Sequence, residues 1–151
     1  MEPRAKLRHV RSRMKPGVLT LHGFLGSDRR SLEEMLREDD ALVARLGLTH
    51  DVIARRLRHF TDLALQGFGT PIREGEFEVV IHEPRGGWLE CPFGESGRYR
   101  KGEVRLKNLR IGQELVWTPL LVHLIGRHGF YEGRGSRYRL DPERVKEVLE
   151  L

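Results

Sequence analysis

Apolar residues change their spacing once along this chain, near residue 70. Upstream they recur three and four apart. Leu32, Met35 and Leu36 lead to Leu42, Val43 and Leu46, and after Gly47 comes the series Ile53, Leu57, Phe60 and Ala64. Residues at that interval share one face of an α-helix. Ser31 with Glu34 three residues later has the spacing of a capping box, Thr49 can cap the second helix, and Gly47 and Gly67 supply the stops. Downstream the period drops to two: Phe77, Val79 and Ile81 alternate with Glu78, Val80 and His82, as in a strand with one buried face.

The same reasoning places the remaining elements. "VLTLHGFLG" (18–26) predicts a short strand that leaves through Gly23 and Gly26, and "PRGGW" (84–88) predicts a turn. Two or three further strands are expected in "YRKGEVRLKNLR" and "QELVW". Thr118-Pro119 and Asp141-Pro142 each combine an N-cap with proline at the first helical position, so helices are expected across Leu120 to Arg127 and through "DPERVKEVLEL". The sum is an α+β fold: N-terminal helices, then a small antiparallel sheet with C-terminal helices. The expected organisation is a basic N-terminal arm (1–16) and a single α+β domain (17–151), helical to about residue 70 and β-rich with C-terminal helices from about 71.

At 151 residues the chain can bury a core without covalent or metal staples. Its one cysteine makes no internal disulfide, and no apolar run approaches 18 residues, so a membrane span and a disulfide scaffold lose support and a cytoplasmic location is expected. The net charge of +5 is unevenly placed. Residues 1–15 hold six basic side chains against Glu2, residues 16–97 nine basic against fourteen acidic, and residues 98–139 ten basic against three acidic. This polarity predicts an anionic partner such as nucleic acid, met by Arg4, Arg8, Arg11 and Arg13 of the arm and by Arg98, Arg100, Lys101, Arg134, Arg137 and Arg139 of the second basic segment. Within that segment "FYEGRGSRYRLDP" adds Gly133 and Gly135, which free backbone amides to face an anion, and Tyr131 and Tyr138, which can stack on bases.

Two strings resemble known functional units. "LTLHGFLGS" is similar to the His-Gly turn near the oxyanion hole of α/β-hydrolases, but the nucleophile elbow is missing. In "GESGR" (94–98) the second glycine directly follows Ser96, so a plain glycine turn is expected. "ALVARLGLTHDVIARRLRHF" resembles a helix-turn-helix. Gly47 stands at the turn, and Thr49, His50, Arg55, Arg56 and Arg58 open the helix that would enter the DNA major groove. The acids at 38–40, 51 and 62 oppose phosphate contact there.

The one candidate metal site joins distant segments. Cys91-Pro92-Phe93-Gly94-Glu95 looks like a zinc knuckle without its second cysteine. His123 and His128 lie five apart near a helix end, as in zinc fingers that use two cysteines and two histidines. The resemblance covers about residues 88–130 and implies Cys91, His123 and His128 as ligands, with Glu95, His82 or water in the fourth position. A water there would permit metal-dependent hydrolysis. On an ideal helix the two histidines are rotated by roughly 140°, so convergence requires the helix to tighten or fray near Gly126 and Gly129. That spacing and the missing cysteine predict a metal-free remnant, with no cofactor required and zinc as the ion such a site would take. The leading expectation is therefore a non-enzymatic binding protein for an anionic partner. A small metal-dependent hydrolase and a protein-interaction module are the alternatives.

Overall fold

The computed structural model describes residues 3–83 and 87–151, and the side chains from residue 6 on. The described residues form three helices, six strands and two further helices in chain order; all but the first helix lie in the regions where the sequence pattern predicts structure. Helix α1 spans Pro3–Arg13, α2 Leu32–Arg45 and α3 His50–Leu65. Strands β1 (Ile72–Glu74), β2 (Phe77–His82), β3 (Trp88–Leu89), β4 (Tyr99–Arg100), β5 (Glu103–Asn108) and β6 (Gln113–Trp117) follow, then α4 (Pro119–His128) and α5 (Pro142–Leu149). The main sheet is antiparallel in the order β1-β2-β5-β6, and β3 pairs with β4 in a separate two-stranded ribbon. The fold is α+β, with helices at both ends of the chain and a small antiparallel sheet between them.

Helices α2 to α5 each start on the side chain that the sequence supplies for it. Ser31, Thr49 and Thr118 accept from the backbone N–H three residues on, and Asp141 from that of Glu143. On α3 the residues Ile53, Leu57, Phe60 and Ala64 are all fully buried, together with Ala54 and Thr61. They pack beneath α4 on one side and against β2 on the other, which makes α3 the central helix. The alternation in β2 is likewise kept: Val79 and Ile81 are buried and pair with Leu106 and Val104 of β5. Trp117 at the end of β6 is wholly enclosed, and its indole N–H donates to Thr61 Oγ1 at 2.8 Å. That bond satisfies the one polar atom the ring brings into the core.

Two expectations change, and a third falls outside the described residues. Residues 18–26 form no strand but part of a turn-rich connection. Its backbone groups bond outside any ladder: Phe24 N–H donates to Met14 O, and Phe24 O accepts from Gly133 N–H at 2.8 Å. Gly23 and Gly26, with positive φ, lie where a side chain would strike neighbouring backbone, so the loop is folded tightly on the residues around it. The basic N-terminal segment is helical and docked, with Val10 and Met14 buried in the common core. Pro84, Arg85 and Gly86 of the expected turn lie outside the described residues.

Candidate metal centre

Cys91 opens a tight turn in which Gly94 N–H donates to Cys91 O at 3.0 Å. Pro92 sets the second position, and Gly94 accepts the positive φ of 87° at the fourth. The turn faces the C-terminal end of α4, the helix that carries both histidines. Gly126 makes the approach of α4 to α3 possible, since a Cβ there would come within 3.0 Å of Ala54 Cβ. The thiol of Cys91 is 1% exposed, and the side chains of His123 and His128 are 16% and 15% exposed.

The three predicted ligands converge. One ligand atom from each of Cys91, His123 and His128 lies within 4.8 Å of the other two. Cys91 Sγ is 3.6 Å from His128 Nε2, and the carboxylate of Glu95 is 3.5 Å from His123 Nε2 through Oε2 and from His128 Nε2 through Oε1. Tetrahedral zinc, bonded at about 2.3 Å to sulfur and about 2.0 Å to nitrogen or oxygen, separates its ligand atoms by roughly 3.3–3.6 Å. The Cys91–His128 separation matches that figure, and the other two separations among the three ligand atoms lie within 4.8 Å. Of the protein groups expected to compete for the fourth position, Glu95 is the nearer: it touches both imidazoles, through a different oxygen for each, while the cluster within 4.8 Å consists of Cys91, His123 and His128. His82 is exposed at the end of β2 and faces a different surface depression, with Phe68 and Arg100.

Of the two ways the spacing left open, tightening or fraying, the helix end takes the looser one. Gly129, at φ 64°, terminates α4 with its N–H directed at both Ile125 O and Leu124 O, and Phe130 N–H also reaches Leu124 O. These wide contacts loosen the exit, and the imidazoles close the remaining angle by their own reach. Their ring centroids end 5.3 Å apart. Each ring is also fixed from its flank: Phe93 stacks on His128 at 4.0 Å and 6°, and Tyr99 lies 4.9 Å from His123.

The electrostatics favour the ligand forms. Burial holds both imidazoles below the usual histidine range and outweighs the opposing pull of Glu95, which keeps them neutral and able to donate a lone pair. Glu95 is held below the ordinary carboxylate range, chiefly by Arg127, whose Nε donates to Oε1 at 2.9 Å. His123 Nε2 is buried and has no hydrogen-bond partner, because its 3.5 Å contact with Glu95 lacks hydrogen-bonding geometry. A buried polar nitrogen without a partner costs about 1–3 kcal/mol, and a bound cation would remove that cost.

No protein-family model matches this chain, nor does any curated protein or solved structure. Its own geometry must therefore supply the functional reading.

The residues predicted to meet an anion are dispersed, and several are engaged internally. Arg100 pairs with Glu83 at 3.0 Å, Arg134 with Glu38 and Arg137 with Glu103 at 3.5 Å, and Arg139 bonds both oxygens of buried Asp39. Arg8, Arg98 and Lys101 are exposed, while Arg11 and Arg13 are half-buried. The side chain of Arg4 lies outside the described residues. The amides around Gly133 and Gly135 are also occupied: Gly133 donates to Phe24 O, Arg134 to Asp28 Oδ2 and Ser136 to Gly133 O. The two helices joined at Gly47 are present, but α3 buries one face along its length. At its start His50 is held by Tyr131 Oη at 2.8 Å and Asp40 at 3.0 Å, and Arg55 pairs with Asp51. Phe93, Tyr99 and Arg127, which shape the metal cluster, carry no signal in the sequence that would have nominated them.

Proposed function

We propose that this protein binds one divalent transition-metal ion, zinc by the chemistry of the donors, through Cys91, His123 and His128 with Glu95 in the fourth position. A thiolate, two neutral imidazoles and a carboxylate form a borderline-soft set that suits zinc over calcium or magnesium. The observation that carries the reading is the convergence of three ligand atoms within 4.8 Å from segments more than 30 residues apart, one of them the unpartnered buried Nε2 of His123. The proposal departs from the metal-free expectation because the helical spacing, its main physical objection, does not keep the rings apart.

The role is structural. Four protein donors close the coordination sphere, and the ion ties residues 90–98 to α4. That segment is otherwise secured by the short β3–β4 ribbon, the turn at Gly94 and the Arg127–Glu95 pair. A cysteine that must remain a free thiolate suits a reducing compartment such as the cytoplasm. The described residues include no helix long and apolar enough to cross a membrane.

Protein expressed in zinc-supplemented medium and purified without chelator is expected to carry one equivalent of zinc, and Cys91→Ser to carry none. Cobalt substitution should give the intense thiolate-to-metal absorption of a tetrahedral site, absent from Cys91→Ser. Wild type that neither retains zinc nor takes up cobalt would overturn the reading.

A further inference from the structure

A second feature lies on the other side of α4 and owes nothing to the metal cluster. The connection at residues 20–24, the start of β5 and the segment after α4 line a half-open cavity of about 220 Å³. Its walls are largely apolar, with Leu21, Phe24 and Leu89 among the lining residues, and Glu132 lies in its lining. Glu132 is 3% exposed. Ser136 Oγ donates to its Oε1 at 2.6 Å. Its other oxygen accepts no hydrogen bond among the described residues and is not a sealed, orphaned atom, so an acceptor of a mostly buried carboxyl group remains available to an incoming donor.

The backbone places it there at a cost. Glu132 has a φ of 69°, a left-handed conformation that costs a residue with a side chain roughly 1–2 kcal/mol. Flanking bonds hold it: Gly133 N–H to Phe24 O at 2.8 Å, and Arg139 Nη1 to the Glu132 carbonyl at 3.0 Å. Arg139 is the nearest cation, but its guanidinium is committed to Asp39. Of the other charged groups along the wall, Arg137 is taken up by Glu103, which also accepts from Tyr138 Oη at 3.3 Å. Lys101, an exposed residue, and His22 complete the titratable set. A buried carboxylate without a dedicated counter-ion must be protonated or meet a cation from outside. Burial pushes Glu132 up to about 7, so both responses are within reach near neutral pH.

We propose that this cavity binds a small primary ammonium compound with an apolar body, the ammonium group donating to Glu132 Oε2 and the body lying against Leu21, Phe24 and Leu89. A charge-assisted hydrogen bond in a desolvated site supplies the orientation, and the apolar walls supply the affinity.

The test is a titration of the full-length protein with n-butylammonium chloride at pH 7.5, followed by amide chemical shifts, with n-butanol as the neutral isostere and sodium chloride as the ionic-strength control. Saturable shifts centred on residues 20–24, 102–103 and 132–138 are expected for n-butylammonium. Binding should weaken about tenfold or more for n-butanol and for Glu132→Gln. Glutamine keeps the volume and can still accept from Ser136, and the amide spectrum of the unliganded variant reports that its fold is intact. No saturable response to n-butylammonium, or equal binding by Glu132→Gln, would overturn the proposal. Cys91→Ser is expected to bind n-butylammonium like wild type, so failure of the zinc reading and failure of this one are distinguishable.

Discussion

Cys91 Sγ lies 3.6 Å from His128 Nε2, although 37 residues separate them in the chain. That is a hydrogen-bonding distance between a fully buried thiol and an imidazole kept neutral by burial, and it is also the spacing that two ligands of one proposed ion would have. It sets what removing either one should do.

Stability should depend on free zinc in the wild type and not in His123→Ala. A ligand bound only by the native state contributes by mass action, about 2.7 kcal/mol at a hundredfold excess over its dissociation constant. Thermal melts with added zinc and with chelator should therefore differ by several degrees for wild type and coincide for His123→Ala. Coincident wild-type melts would remove the metal from the folding energetics.

Arg127 is exposed and touches no ligand atom of the cysteine or the histidines, yet it orients Glu95 through the 2.9 Å bond to Oε1. Loss of a partner that positions a ligand typically costs roughly 10–100-fold in metal affinity. Arg127→Ala should fall in that range in a competition titration with a chromophoric chelator, and Arg127→Lys should recover part of the loss. Unchanged affinity in Arg127→Ala would show that Glu95 holds its place without help.

Glu132 makes stability fall as pH rises. Its folded value, about 7, lies above the ordinary glutamate value of 4.5, so between those limits the native state binds a proton that the unfolded chain has released. The contribution is fully present below pH 4.5 and is lost on passing through pH 7, a change on the order of 3 kcal/mol. Urea denaturation at pH 5 and pH 8 should show that slope in wild type and lack it in Glu132→Gln. An identical slope in both would place the titration elsewhere.

Glycines with the same backbone sign should differ in cost according to what surrounds them. A Cβ at Gly47, φ 74°, meets nothing within 4 Å, so Gly47→Ala carries only the left-handed penalty of about 1 kcal/mol. At Gly26, φ 59°, a Cβ would lie 2.2 Å from the amide nitrogen of Ser136, and the two loops would have to part. Gly26→Ala should cost about 1–3 kcal/mol beyond Gly47→Ala in chemical denaturation. Equal costs would mean that the contact between residues 24–27 and 133–136 yields freely.

Local rules were enough for most of the elements. The spacing of Ile53, Leu57, Phe60 and Ala64 determined the buried face of α3, and the caps at Ser31, Thr49, Thr118 and Asp141 determined where helices begin, because a helix start needs only a side-chain oxygen near its own first amides. The proposed ligands were also legible as residue types: cysteine before proline in a turn, and two histidines at a helix end. Tertiary structure alone decided whether they meet, since convergence depends on where residues 90–98 pack against α4. The same holds for Glu95 against His82 as the fourth donor. Residues 18–26, expected as a short strand, form none because Phe24 bonds to Met14 and Gly133 rather than to a neighbouring strand, a choice of partner that only the tertiary structure makes. Glu132 left no trace in the sequence at all: a glutamate between Tyr131 and Gly133 reads as solvated, and only the packing of a distant loop over it makes it a buried acid beside a cavity.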